Sequence, residues 1–149
     1  MVLKVKNNKY IIYLNKQTDN DFNDNNIEDY FMKLLNNINR KYNIELNGLY
    51  DLTIYKDKYY GSVIEMVHKE YDYILYNEID LNIKMHKDDF LYEIDNYNFD
   101  KNKFDYFLYK NKIYLKIKND ISDKDMYNLL ENSNLKYDTE NLILSSKKI

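Results

Sequence analysis

The 149-residue chain contains no cysteine, no proline, no alanine, no tryptophan and only two glycines. Without cysteine it cannot form a disulfide, a thiolate zinc site, an iron–sulfur cluster or a cysteine nucleophile. The two glycines, Gly48 and Gly61, stand alone, which excludes a glycine-rich loop that would bind phosphate groups. Because secreted domains of this size often depend on disulfides, we expect a cytoplasmic protein.

Long apolar runs and a strong excess of positive charge are missing as well. The first 20 residues carry lysines throughout, so they predict neither a signal peptide nor a membrane anchor, and no membrane partner is expected. The net charge is −3, and Arg40 is the single arginine. Proteins that bind phosphate backbones use many cationic contacts, so we do not expect direct nucleic-acid binding.

What remains is the composition of an ordinary globular protein. Hydrophobic residues make up 44% of the chain and charged residues 32%. This balance is typical of a folded chain of this length, and it predicts a single α+β domain over residues 1–149. The abundant Lys, Asn and Tyr residues have A/T-rich codons, so their frequency alone indicates no function.

Two segments have the pattern of amphipathic helices. Asn25 and Glu28 resemble a capping box, and apolar residues recur with helical spacing at Ile27, Phe31, Leu34, Leu35, Ile38 and Tyr42. The pattern predicts a helix over about 27–42. Ser122 and Asp125 form a second capping box, with Asp in place of the usual Glu, and predict a helix over about 122–132.

The rest of the chain alternates with a period of two. Three hairpins are predicted, over residues 2–14, 49–67 and 104–117, together with two half-buried strands at 81–85 and 90–94. Residues 135–144 fit an edge strand or a final turn. The expected fold is therefore α+β, a mainly antiparallel β-sheet built from hairpins, with roughly six to eight strands and the two helices packed on one face.

No constellation of residues predicts catalysis, a metal site or a cofactor. His68 and His86 lie on separate predicted strands, and a lysine follows each, as at an exposed strand end. Carboxylates two residues apart on a strand share a face at about 7 Å, a spacing that some hydrolases use. With 25 acidic residues this spacing arises by chance, so a small hydrolase that depends on carboxylates or histidine is the least favoured function.

The segment 71–106 interleaves aromatic rings with carboxylates, and residues 65–105 hold eleven acidic residues against five lysines. Aromatic residues are enriched at interface cores, and charge accelerates association with an oppositely charged surface. The candidate partner-binding residues are Asp88, Asp89, Tyr92, Glu93, Asp95, Tyr97 and Asp100. The competing interpretation is an ordinary solvated sheet face.

These observations favour a small non-enzymatic inhibitor, of the immunity, antitoxin or anti-defence type. It would cover a basic surface of a partner protein with an acidic, Tyr-rich sheet face. The alternative is a structural or adaptor subunit that joins a larger assembly through a sheet edge or its helices. The sequence predicts no oligomeric state.

Overall fold

Strands make up most of the regular structure in the described part of the chain. The computed structural model describes residues 2–6, 9–15, 26–44, 48–69, 79–95 and 99–149. Within these ranges the order of elements is β1 (Val2–Lys6), β2 (Lys9–Asn15), α1 (Ile27–Tyr42), β3 (Gly48–Asp57), β4 (Gly61–His68), β5 (Ile79–Lys87), β6 (Leu91–Ile94), β7 (Phe104–Tyr109), β8 (Lys112–Ile117), α2 (Asp123–Glu131), β9 (Asn134–Lys136), α3 (Glu140–Ser145) and β10 (Lys147–Lys148).

The predicted α+β class is confirmed, with two refinements. The strands form two sheets instead of one, in the orders β1-β2-β4-β3-β5 (sheet 1) and β10-β7-β8-β6-β9 (sheet 2). For residues 135–144 the sequence allowed either an edge strand or a final turn. The structure has the strand β9 at the start of this segment and a short third helix, α3, at its end. The strand pairs β1–β2, β2–β4, β6–β8, β6–β9, β7–β8 and β7–β10 are antiparallel.

Both predicted helices form. Helix α1 covers the predicted residues, although its N-cap is Asn26, whose side chain makes no capping hydrogen bond, and the predicted cap Asn25 lies outside the described residues. In α2 the predicted cap is present, since Ser122 Oγ accepts a hydrogen bond from the backbone N–H of Asp125 at 3.1 Å. That bond satisfies one of the donors that a helix leaves unpaired at its start.

The chain divides into two compact units. The first consists of Met1–Ile54 and Gly61–His86, and the second of Tyr55–Tyr60 and Lys87–Ile149. In the first unit, helix α1 buries Phe31, Leu35 and Ile38 against apolar side chains of sheet 1. The predicted organisation as a single domain stays a prediction.

The second unit is built around sheet 2. Its β7–β8 hairpin turns at Lys110 and Asn111, which have φ values of 48° and 63°. A two-residue type I′ turn requires positive φ at both central residues, and its backbone twist matches that of the two strands it joins. Aromatic rings form much of the core of this unit, with Phe90 between Tyr60 (centroids 5.6 Å apart) and Tyr137 (6.5 Å).

In the part of the chain that the structure describes, no helix is both long enough and apolar enough to cross a membrane.

Candidate functional site

The six predicted partner-binding residues that the structure describes do not lie on one face of sheet 2. Asp88 and Asp89 precede β6, and Asp95 follows it. Since β6 and β7 both run antiparallel to β8, they start at the same end of sheet 2, so Asp100, which precedes β7, shares the end of Asp88 and Asp89. Asp95 lies at the other end of the sheet. Tyr97 lies outside the described residues.

Tyr92 is buried, with 1% of its surface exposed, so its ring offers no area to a partner. It sits on the inner face of sheet 2, directly opposite Leu115 on β8 and Leu135 on β9. Successive residues of a strand point to opposite faces. Tyr92 and its neighbour Glu93 therefore point to opposite faces of sheet 2. Because both lie on one strand, they cannot belong to the same surface of the sheet.

The hydroxyl of Tyr92 is buried and forms no hydrogen bond with any described residue. Burial raises the pKa of Tyr92 well above its usual value, and the charge of Asp57 adds to this shift. The phenol therefore stays neutral at all ordinary pH values.

Glu93 points to the opposite side of sheet 2. There it belongs to a row of directly paired residues that crosses the sheet, which reads Asn134, Glu93, Tyr114, Phe107 and Lys148. Its carboxylate lies 3.2 Å from Lys112 Nζ and 3.6 Å from Lys136 Nζ. Glu93 is thus a shielded acid between two lysines.

Two further ion pairs lie on the same side of the sheet. Lys148 Nζ is 3.5 Å from Asp105, and Lys116 Nζ is 3.1 Å from Asp89. The strand residues that share this side are together called the outer face of sheet 2: Leu91, Glu93, Asp105, Phe107, Tyr109, Lys112, Tyr114, Lys116, Asn134, Lys136 and Lys148. Leu91 is fully buried, at 0% exposure. With Asp89 included, three carboxylates meet four lysines, so these pairs leave an excess of one positive charge and the face is not acidic.

Aromatic rings lie among these charges. Phe107 and Tyr109 are half-buried, and Lys110 Nζ lies 5.2 Å from the centre of the Tyr109 ring. Tyr114 is buried at 6% exposure; this burial raises the pKa of its hydroxyl, and Glu93 raises it further. The sequence missed this arrangement because the rings come from β7 and β8 and the paired lysines from β8, β9 and β10, beyond most of the acidic segment.

Asp57, which lies within the predicted hairpin 49–67, is the one buried carboxylate among the described residues of the second unit. Its Oδ2 accepts the backbone N–H groups of Tyr59 (2.8 Å) and Tyr60 (2.7 Å), and its Oδ1 accepts that of Phe90 (2.9 Å). Burial raises the pKa of Asp57, although the three N–H donors act in the opposite direction. An aspartate that binds N–H groups just after it is typical of tight turns, but its bond to Phe90 was not visible in the sequence.

The histidines form no catalytic or metal-binding pair. His68 ends β4, and His86 lies on β5. Strand β3 lies between β4 and β5 in sheet 1, so the two strands that carry the histidines do not pair. The His68 ring packs 4.9 Å from that of Tyr50, and its Nε2 would be 2.9 Å from a Cβ atom on Gly48. Among the described residues, no group of three or more His, Asp or Glu side chains could hold a metal ion.

The remaining acidic candidates are on the surface. Asp95 and Asp100 are exposed and Asp88 is half-buried, and no lysine pairs with any of the three within the described ranges. Asp100 Oδ1 accepts the N–H of Asn102 at 2.9 Å, which shapes the turn before β7. Among the described residues these carboxylates, unlike Glu93, form no salt bridge, although the charge of Asp100 acts on Lys103.

No family model, no curated protein and no solved structure matches this chain.

Proposed function

We propose that this protein is a non-enzymatic, protein-binding inhibitor, and that it contacts its partner through the outer face of sheet 2. The observation that supports the proposal is the arrangement of half-buried rings among four lysine–carboxylate pairs on one face of a hydrogen-bonded sheet. The proposal includes a cytoplasmic location, for which the lack of cysteine is the support.

The outer face resembles a protein interface in its layout. Interfaces commonly have an aromatic centre and a polar rim. Phe107 lies between Tyr114 and Lys148 in the central row, and the paired lysines keep 33 to 64% of their side chains exposed. Because the strands hold these side chains in place before binding, little conformational entropy is lost when a partner docks.

The partner that this surface fits carries a basic patch beside a region of mixed charge. The carboxylates of the outer face are already paired with lysines. They can therefore orient a docked partner protein, but they add little net attraction between the two proteins. Asp88, Asp95 and Asp100, at the two ends of the sheet, form no salt bridge with any described residue. We assign the steering of a basic partner to these three carboxylates, because long-range attraction depends on net charge.

The test starts from a protein that the wild-type chain retains from a lysate of its source organism. Phe107→Ala should then raise the Kd by about ten-fold or more, as expected when a ring at an interface centre is removed. The triple variant Asp88→Asn, Asp95→Asn, Asp100→Asn should slow association and flatten its dependence on salt. Surface plasmon resonance at several salt concentrations measures both effects.

The matched control is Tyr127→Ala, which removes a ring that is 65% exposed on α2 and outside the proposed interface. It should leave the Kd and the association rate unchanged. The proposal fails if the Phe107→Ala variant binds the captured protein as tightly as this control does. It also fails if all variants capture the same proteins from the lysate in equal amounts.

A second candidate function, an adaptor subunit that joins an assembly through a sheet edge, is supported by the exposure of β1. This edge strand of sheet 1 carries Val2 at 53% and Val5 at 66% exposure.

A further inference from the structure

Strand β1 is a regular edge strand with one side of its backbone unpaired by any described strand. It pairs with β2 over all five of its residues, from Val2 opposite Tyr13 to Lys6 opposite Lys9. At the edge of sheet 1 no described element continues the ladder beyond it. Such an edge presents N–H and C=O groups that can bind another extended segment.

The two faces of β1 differ in chemistry. Leu3 and Val5 lie opposite Ile12 and Tyr10, and Leu3 and Tyr10 pack against the core of the first unit. Val2, Lys4 and Lys6 lie on the other face. Of the five side chains only Leu3 is half-buried, and the other four are exposed. A strand added to this edge would therefore extend an apolar row on one face and meet lysines on the other.

The positive charge of that second face is uncompensated at the edge. Lys9, on β2, has a carboxylate partner, since its Nζ lies 3.4 Å from Glu65. No described carboxylate pairs with Lys4 or Lys6, and Lys4 Nζ lies instead 5.3 Å from the centre of the Tyr13 ring. The carboxylate that pairs with Lys9 is on β4, two strands in from this edge, and no described carboxylate provides the same compensation at the edge itself.

The same lysines oppose pairing with a second copy of β1. When two copies pair antiparallel over the whole strand, Lys4 faces Lys4 of the other copy, and Lys6 lies opposite Val2. Like charges directly opposite on neighbouring strands are destabilising. Lysine on an edge is also a common means by which proteins prevent self-association.

We propose that β1 binds an extended segment of a partner protein in which apolar residues alternate with carboxylates. The segment would add to sheet 1 as a further strand, with its backbone bonded to the free side of β1. Its apolar side chains would lie beside Leu3 and Val5, and its carboxylates opposite Lys4 and Lys6. This surface is separate from the outer face of sheet 2, so either proposal can fail without the other.

Two synthetic peptides test the inference, one alternating Val and Glu and the other alternating Val and Lys. Wild-type protein should bind the Val/Glu peptide at least ten-fold more tightly than the Val/Lys peptide, measured by fluorescence anisotropy at low salt. In the variant Lys4→Glu, Lys6→Glu the preference should be reversed. Hydrogen exchange should show new protection of backbone amides in β1 when the Val/Glu peptide is bound.

The control reverses two exposed lysines of the second unit, Lys101→Glu and Lys118→Glu, and so matches the change in net charge. It should keep the wild-type preference. The inference is overturned if the wild type binds both peptides equally, if the control loses the preference as the β1 variant does, or if light scattering shows that a second copy occupies β1. Circular dichroism establishes that each variant is folded.

Discussion

The two units bury different kinds of side chain. Among the described residues the first unit buries two aromatic rings, Phe31 and Tyr50, and its other buried hydrophobic residues are aliphatic. The second unit buries seven rings: Tyr55, Tyr60, Phe90, Tyr92, Phe104, Tyr106 and Tyr114. Five of these seven rings are tyrosines, so the core of the second unit contains phenolic hydroxyl groups as well as apolar surface.

This difference changes what stabilises each unit. An aliphatic core is stabilised by removal of apolar surface from water and by close packing. A tyrosine-rich core also contains polar atoms whose burial costs free energy unless each finds a hydrogen-bond partner. Tyr106 Oη has one, since it donates to the carbonyl of Phe99 at 2.5 Å, whereas Tyr92 Oη has none among the described residues. The second unit should therefore respond more strongly to changes in its polar groups.

The largest effect is expected for Asp57→Ala in the second unit. The substitution leaves three backbone N–H groups without their acceptor and should lower the free energy of unfolding by about 2 to 4 kcal/mol. Ser62→Ala is the matched change in the first unit. Ser62 is fully buried, but its hydroxyl has no hydrogen-bond partner among the described residues, so stability should change by less than about 1 kcal/mol. Urea denaturation at pH 7 measures both, and equal losses would contradict the comparison.

Stability should depend on pH with opposite sign at one aspartate of each unit. Burial raises the pKa of Asp57 above the usual 3.8, so the folded protein holds this proton more tightly than the unfolded chain. The part of its contribution to stability that comes from this pKa shift is greatest below pH 3.8 and is lost as the pH rises through the raised pKa, whereas its three backbone hydrogen bonds act at pH 7 as well.

Asp51 in the first unit behaves in the opposite way. A hydrogen bond with Lys69, whose Nζ is 2.8 Å away, lowers the pKa of Asp51. Its contribution is present above pH 3.8 and is lost as the pH falls through the lowered pKa. Unfolding free energies of wild type, Asp57→Asn and Asp51→Asn across the acidic range measure the two slopes. Differences from wild type that vary with pH in the same direction would refute the assignment.

The smallest effects are expected for two tyrosine hydroxyls of sheet 2. Tyr92→Phe removes an unpaired buried hydroxyl and should stabilise the protein by up to about 1 kcal/mol. Tyr106→Phe removes a hydroxyl that is bonded to Phe99 and should destabilise it by about 1 kcal/mol. Thermal and urea unfolding of both variants give the comparison, and a loss of stability in Tyr92→Phe would show that its hydroxyl has a partner.

Local sequence patterns predicted most of the secondary structure. The helical spacing from Ile27 to Tyr42 predicted α1 to the residue, and the Ser122 cap predicted the start of α2. These features depend on neighbours within about four residues, where capping and side-chain periodicity act. The division of the strands between two sheets was not predicted, because strand order depends on pairings between residues that are distant in sequence.

The candidate site was predicted less well, for the same reason. An excess of acid in residues 65–105 indicated a negative surface, but Lys112, Lys116 and Lys136 reach its carboxylates from β8 and β9. The alternation in β6 indicated that Tyr92 points inward. For deciding whether a ring is exposed, this alternation is a better guide than the number of aromatic residues in the segment. Asp57 looked like a turn residue, and its bond to Phe90, 33 residues away, appeared only in the fold.

The sequence by itself determined the class of fold, the helices and the hairpins, because capping, periodicity and turn chemistry are short-range interactions. Tertiary structure alone decided which charges meet and which rings are buried. Electrostatic compensation and burial depend on distances between strands, and antiparallel pairing brings side chains that are far apart along the chain to within 4 Å of each other.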